Sequence, residues 1–302
     1  GVCPCILRLG PNMAEELEQK LEQVKLSPSK VQRELKRIQS LRLRLSALVL
    51  QYGYSLLTRS KQALGHSVWD MFEQVFLSAL DVHNTKVSQE CMDALSKQFP
   101  NSTRVRRLNG LQLEAKGDWD EAAKVYADIL DKEPANALVW KRKVALMRSK
   151  GLLPAAAAEL SKYLNVFTSD ESAWLELGEL YIAQCQYDLA SFCYEELILI
   201  EPENHLYHLQ YAEVVFTIGG KENFETARAY YAQSLELKPK NNLRALYGLA
   251  MSIRALRSCA SASSRAQQAE MYSQACKSIT SHYQSHNSSK FQQLSEAMLN
   301  SS

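Results

Sequence analysis

Glycine and proline are scarce in this chain, at 11 and 8 of 302 residues. That little glycine leaves few places for the turns of a many-stranded sheet or for phosphate-cradling loops. Cysteine is present but unorganised: the seven thiols are scattered and no Cys-x-x-Cys pair occurs. The spacing therefore supplies neither a disulfide framework nor a paired zinc site. Long apolar runs are missing too. The longest, "LSALVLQYGYSLL" at 45–57, is interrupted by Gln51 and falls short of the roughly 20 residues a membrane helix requires. The opening "GVCPCILRLGPN" has two prolines and only a short apolar run, so it does not read as a signal peptide. Met13 reads as the natural start. Reduced thiols are expected, and the sequons at Asn101 and Asn287 carry no weight without a secretory route.

The motifs that could carry chemistry are equally thin. His282 and His286 stand four apart with Cys276 upstream, but a structural zinc usually needs four ligands in paired spacing. His205 and His208 read as polar residues at a helix start. Gly219-Gly220-Lys221 lacks the Ser or Thr that a P-loop places after its lysine, since Glu222 stands there. No nucleophile, base and orienter suggest themselves. An enzyme, a cofactor and a metal are therefore not expected.

What the chain does have is a period. "AWLELGELY" at 173–181, with Ala190, Tyr194 and Pro202, matches W-x2-L-G-x2-Y, A-x3-aromatic and P, the pattern of the tetratricopeptide repeat. Ala122, Ala156 and Ala190 are 34 apart, as are Trp140 and Trp174, and Pro100 and Pro134. Gly110, Gly178 and Ala212 fall where paired helices press together and larger side chains would overpack. Gly117 and Gly151 divide repeats into two helices. Repeats are predicted to begin at Trp69, Thr103, Ala137, Glu171, His205 and Leu243. The fifth is long, with 37 residues from Pro202 to Pro239, and "IGGKENF" is predicted to hold three extra residues in its inner turn.

The expected fold is all-α, a right-handed α-solenoid with helical extensions at both ends. Residues 1–12 read as a disordered tail, 13–66 as a helical extension, 67–241 as the repeat array, and 242–302 as a helical pair with a frayed end. Within 13–66, "MAEELEQKLEQVKL" is one helix, and Ser27-Pro28 a break. The stretch from Val31 to Leu57 is then a single helix with Ile38, Leu41, Leu45, Leu48 and Tyr52 on one stripe. "LRLRL" at 41–45 alternates like a strand but is read as part of that helix.

Charge is segregated. Residues 13–66 carry ten Lys/Arg against five Asp/Glu, 101–150 carry eleven against seven, and 171–240 carry four against twelve, while the whole chain is at +2. Such polarity does not describe a general nucleic-acid binder. The basic runs "RVRR" and "KRK" are read first as solvated helix faces and second as docking patches.

In tetratricopeptide proteins, positions 2, 5, 9, 12 and 13 of each first helix line the concave surface. By that resemblance the candidate partner groove consists of Arg104, Arg107, Lys141 and Arg148, followed by Leu175, Ile182, Leu206, Leu209, Phe216, Tyr247 and Met251. Some of the apolar members could instead pack between repeats. The clamp by which chaperone-binding relatives hold a terminal carboxylate is missing, with Glu73, Leu77, Arg142, Ser172 and Glu176 at or near its slots.

From Val68 to Leu249 the resemblance is narrower. "NHLY", "QYAEV" and the "GG" insertion within 192–249, and "QFPNSTRVRRLNG" at 98–110, resemble the second-subunit family of the endoplasmic-reticulum membrane protein complex. That resemblance implies a non-catalytic scaffold at the cytoplasmic face of the membrane. It would be attached through membrane-embedded and cytosolic subunits, in a complex that inserts tail-anchored and multipass membrane proteins. The alternatives are a free cytosolic adaptor for peptide segments and, less compatibly, an RNA binder, whose per-repeat code is absent from the equivalent slots.

Overall fold

The computed structural model describes residues 28–41, 43–258, 262–285 and 293. The expectations for 1–27, for His286 and for the Ser-rich end lie outside the described residues. Fourteen α-helices and one 3-10 helix make up the described residues, with no strand among them. Within α7 (Ala137–Ser149), between Leu146 and Met147, the chain divides into two compact units.

The first unit holds α1 (Pro28–Ser40), α2 (Ser46–Arg59), a 3-10 turn (Lys61–Ser67), α3 (Val68–Asp81), α4 (Thr85–Gln98), α5 (Thr103–Lys116) and α6 (Trp119–Lys132). Pairing runs α3 with α4 and α5 with α6. Leu35, Ile38, Val75, Phe76 and Leu108 are fully buried together in its core. The second unit holds α8 (Leu153–Val166), α9 (Glu171–Ala183), α10 (Tyr187–Ile200), α11 (His205–Ile218), α12 (Lys221–Leu237), α13 (Leu243–Ser258) and α14 (Ala262–Ser285), with α9 paired to α10, α11 to α12 and α13 to α14.

The sequence period is visible as local chemistry. Thr103, Ala137, Glu171, His205 and Leu243 each open a helix, and α3 opens one residue before Trp69. Asn136, Asp170 and Asn204, spaced 34 apart, use their side-chain oxygens to accept the first free backbone N–H groups of α7, α9 and α11 at 3.2–3.3 Å, which satisfies donors the helix itself leaves open. Three residues into each of these helices, a ring N–H donates back to the preceding loop at 2.8 Å: Trp140 to the Pro134 carbonyl and Trp174 to that of Thr168. His208 Nε2 makes the same bond to Pro202. Because a carbonyl only accepts, Nε2 carries the proton. His208 is thus a stand-in for tryptophan rather than a loosely placed helix-start residue.

Small residues sit where paired helices meet. A Cβ added at Gly110 would lie 2.7 Å from Tyr126 Cζ, and one at Gly178 would lie 3.3 Å from the Tyr194 ring. The first distance is a clash; the second is only tight.

Two expectations are corrected. The predicted single helix from Val31 to Leu57 is broken: α1 ends at Ser40 and α2 begins at Ser46. Leu43 and Leu45 are half-buried against the core while Arg44 faces out to Asp81. Residues 43–45 are neither helix nor strand: Leu45 sits at φ −105° and ψ 55°, and the Leu43 amide donates back to the Ile38 carbonyl at 3.1 Å. The extra residues of the fifth repeat also lie elsewhere. The α11–α12 turn is only Gly219-Gly220, at φ of 81° and 93°, conformations that favour glycine. It is α12 that is long, at 17 residues against 14 in α10, and Ala227 occupies the slot of Ala190. The insertion is an added first turn of helix.

Candidate partner-binding surface

The basic members of the candidate groove are held by acids from the neighbouring repeat. Arg104 reaches Glu73 at 2.5 Å and Asp70 at 3.3 Å, and Arg107 reaches Glu73 at 3.3 Å. Hydrogen bonding to Glu73 pushes the Arg104 guanidinium further above its ordinary range. Both ion pairs join the same two repeats at a spacing of 34: Asp70 with Arg104, Glu73 with Arg107. A second spacing of 28 links Arg142 to Glu114 in the first unit and Arg148 to Glu176, at 2.5 Å, in the second. Lys141 is half-buried. The basic runs are therefore neither plainly solvated nor plainly free: much of their charge joins consecutive repeats. Beside Arg104 lies a cavity of about 250 Å³ walled by Trp69, Phe99, Leu95 and Val105.

The apolar members divide by register. Leu175 and Leu209, both at position 5 of their helices, are buried at 6% and 3% exposure in the core shared by α9–α13. They are core residues and not groove residues, because this slot points toward the adjacent repeat. Leu206 at position 2 and Met251 at position 9 are open, at 49% and 55%. Ile182 and Phe216 are half-buried, with Phe216 against Phe224 at 5.2 Å. Tyr247 is half-buried and its hydroxyl lies 3.4 Å from that of Tyr283 on α14, which packs beside it.

The sequence reading passed over the outer face of α10. Leu189, Phe192 and Leu199 stand there at 48%, 51% and 76% exposure. Their spacing of three and seven residues places them within one arc of the helix, and contiguous exposed apolar side chains mark contact surfaces. Helical periodicity of "YDLASFCYEELILI" could have shown two apolar faces where a surface helix needs one.

Catalytic means are few. The Cys91 and Cys193 thiols are buried, and desolvation pushes each up to about 12, which makes them inert packing groups. Among the described residues, no group of three or more His, Cys, Asp and Glu side chains converges as a metal site, and no helix is long and apolar enough to cross a membrane.

Comparison with known proteins agrees with this geometry. The solved C-terminal part of a TPR repeat-containing protein from Cytophaga hutchinsonii superposes with a TM-score of 0.58 at 14% identity, over 84% of this chain and 95% of that one, which establishes the tetratricopeptide-type fold. Residues 92–235 match the family model described as the EMC2 TPR-like repeat domain. ER membrane protein complex subunit 2 of Dictyostelium discoideum is 34% identical over 227 residues, 71% of this chain and 70% of that protein. The protein of the same name from Xenopus tropicalis is 43% identical over 204 residues, 68% of either chain. With the repeat register, the fold and this identity in agreement, the chain belongs to the family of ER membrane protein complex subunit 2.

Proposed function

We propose that this chain is a non-catalytic scaffold subunit of an endoplasmic-reticulum membrane protein complex. It holds cytosolic segments of membrane-embedded subunits together with a second cytosolic subunit, and so supports insertion of tail-anchored and multipass membrane proteins. Family membership is the observation that carries the reading. The surface supports it: Leu206 and Met251 on first helices, and Leu189, Phe192 and Leu199 on α10, are large apolar groups left in water by the isolated chain. Covering such area offsets the entropy a flexible tail loses on being ordered. The pairing of Arg104, Arg107, Arg142 and Arg148 with carboxylates favours a protein partner over RNA, since phosphate binding would have to compete with those acids. Residence is at the cytoplasmic face, through protein partners.

The test is affinity capture of the tagged chain from detergent-solubilised membranes, read by mass spectrometry. Membrane and cytosolic subunits of the complex should be recovered together. Leu206→Asp with Met251→Asp, and separately Leu189→Asp with Phe192→Asp, should keep helical content and lose part of that set, because each carboxylate would be desolvated against an apolar contact. Recovery of the chain alone, or its full retention on membranes depleted of the membrane subunits, would overturn the reading.

A further inference from the structure

A second kind of site lies beside the last helices of the second unit. The connection between α12 and α13, together with α14, lines an open, shallow cleft of about 730 Å³. Lys240 and Asn241 come from the connection, and Lys277, Ser281 and His282 from α14. Among the described residues, no carboxylate lines it. Lys240 and Lys277 make no ion pair among the described residues, which sets them apart from the arginines of the repeat contacts. Lys240 also closes an acidic stretch, since residues 171–240 carry four Lys/Arg against twelve Asp/Glu.

The connection is held in place. Asn242, next to Asn241, is 7% exposed, and its amide donates at 3.1 Å both to the Ser234 carbonyl and to the Ser234 hydroxyl. The Ser234 hydroxyl in turn donates to the His205 carbonyl at 2.8 Å. Asn241 itself sits at a φ of 58°, a left-handed conformation that such a buried network can maintain. Lys240 comes from this held connection and Lys277 from α14, and both line the cleft.

The chemistry of the walls selects the ligand class. Ammonium groups are donors only, and amide and hydroxyl groups add donors beside them. Such a set suits an acceptor-rich anion with more than one charge, and lysine serves phosphate as a point charge. The volume lies in the range of small-molecule sites, about 300–1,000 Å³. It far exceeds one phosphate and is compact for an extended peptide. Leu235 and Leu246 supply an apolar side for a carbon ring. We infer that the cleft binds a small organic molecule bearing two or more phosphate groups, either free or as the headgroup of a membrane lipid.

The test uses the 302-residue chain with two probes: soluble inositol hexakisphosphate by calorimetry, and flotation with phosphatidylcholine vesicles that contain phosphatidylinositol monophosphate. Saturable, salt-weakened binding of the soluble probe is expected, and Lys240→Gln with Lys277→Gln should lower its affinity by about tenfold or more. The Lys→Arg pair, which keeps both charges, should retain most of it, and all variants should keep the helical circular-dichroism signal. Vesicle binding competed by the soluble probe would assign the ligand to a lipid headgroup; soluble binding alone would assign it to a free organic phosphate. Equal affinity in the wild-type and Gln chains, preference for an acidic peptide such as polyglutamate, or no saturable binding of either probe would overturn the site.

Discussion

Arg107 and Leu209 occupy the same place in the repeat, position 5 of a first helix, three repeats apart, and do opposite things. Arg107 belongs to the first unit, where Glu73 of the preceding repeat meets its guanidinium. Leu209 belongs to the second, where the same slot is buried in an apolar cluster that includes Leu175, one period earlier, and Ala245. One junction is joined partly by charge and the other by apolar contact. Register therefore fixes where a side chain points but not whether it is available to a partner; the residue one period away decides that. A cation facing a carboxylate is already engaged, and a leucine within an apolar cluster is already buried.

The sharpest way to break the comparison is at the apolar junction. Leu209→Ala should destabilise the chain by about 2–5 kcal/mol, as truncation in a well-packed core does, read as a lowered midpoint in urea. Leu206→Ala, three residues earlier on the exposed face, should change stability by less than about 0.5 kcal/mol. Similar losses at the two positions would mean that Leu206 is also core and that the groove has no apolar floor at this repeat.

The ionic junction should respond less, and asymmetrically. Glu73 serves two guanidiniums, and the Arg107 side chain is only 19% exposed, with its Nε buried and without a hydrogen-bond partner. Glu73→Gln removes the anion and leaves that half-buried cation uncompensated, at a cost of about 1–3 kcal/mol. Arg107→Gln should cost less, because Glu73 keeps Arg104. Chemical denaturation of both variants gives the order, and the reverse order would show that Arg107 contributes through packing of its stem rather than through charge.

Much of this architecture could be read from spacing. The helix starts at Thr103, Ala137, Glu171, His205 and Leu243 followed from one period, because capping residues, rings and prolines recur with it. The candidate groove was less legible. Family positions assigned Leu175 and Leu209 to a surface they do not reach, since a linear register carries no information on which neighbour fills the facing slot. The ion pairs did leave a signal, opposite charges 34 apart at Asp70 and Arg104 and at Glu73 and Arg107, but a census of charge by segment averages it away. The break at 41–45 was lost differently. Ile38 and the leucines at 41, 45 and 48 fit a helical stripe, and only tertiary contact shows that Leu43 and Leu45 reach the core from a non-helical link.

That break supplies the smallest effect. Asp81, the last residue of α3, accepts from Arg44 at 2.6 and 3.1 Å and from the Ser46 hydroxyl at 2.6 Å, so one carboxylate ties the non-helical link and the start of α2 to the repeat array. The Arg44 hydrogen bonds hold the Asp81 carboxyl below its usual range, against the opposing effect of partial burial. A depressed carboxyl pKa means that the folded chain prefers the ionised form. Its stabilisation is therefore full above the ordinary Asp value near about 3.9 and is lost as pH falls through the lower folded value. Arg44 is 62% exposed, so screening keeps the contribution to about 0.5–1 kcal/mol. Asp81→Asn should lower stability by that amount at neutral pH, and the gap to wild type should close in acid, where both chains are neutral at this position. Urea midpoints for the two chains, measured from neutral pH down to about pH 2.5, below the ordinary Asp value, give the comparison. A gap that persists unchanged in acid would assign the effect to hydrogen-bond geometry instead of charge, and no gap at neutral pH would show that Leu43 and Leu45 alone hold the segment.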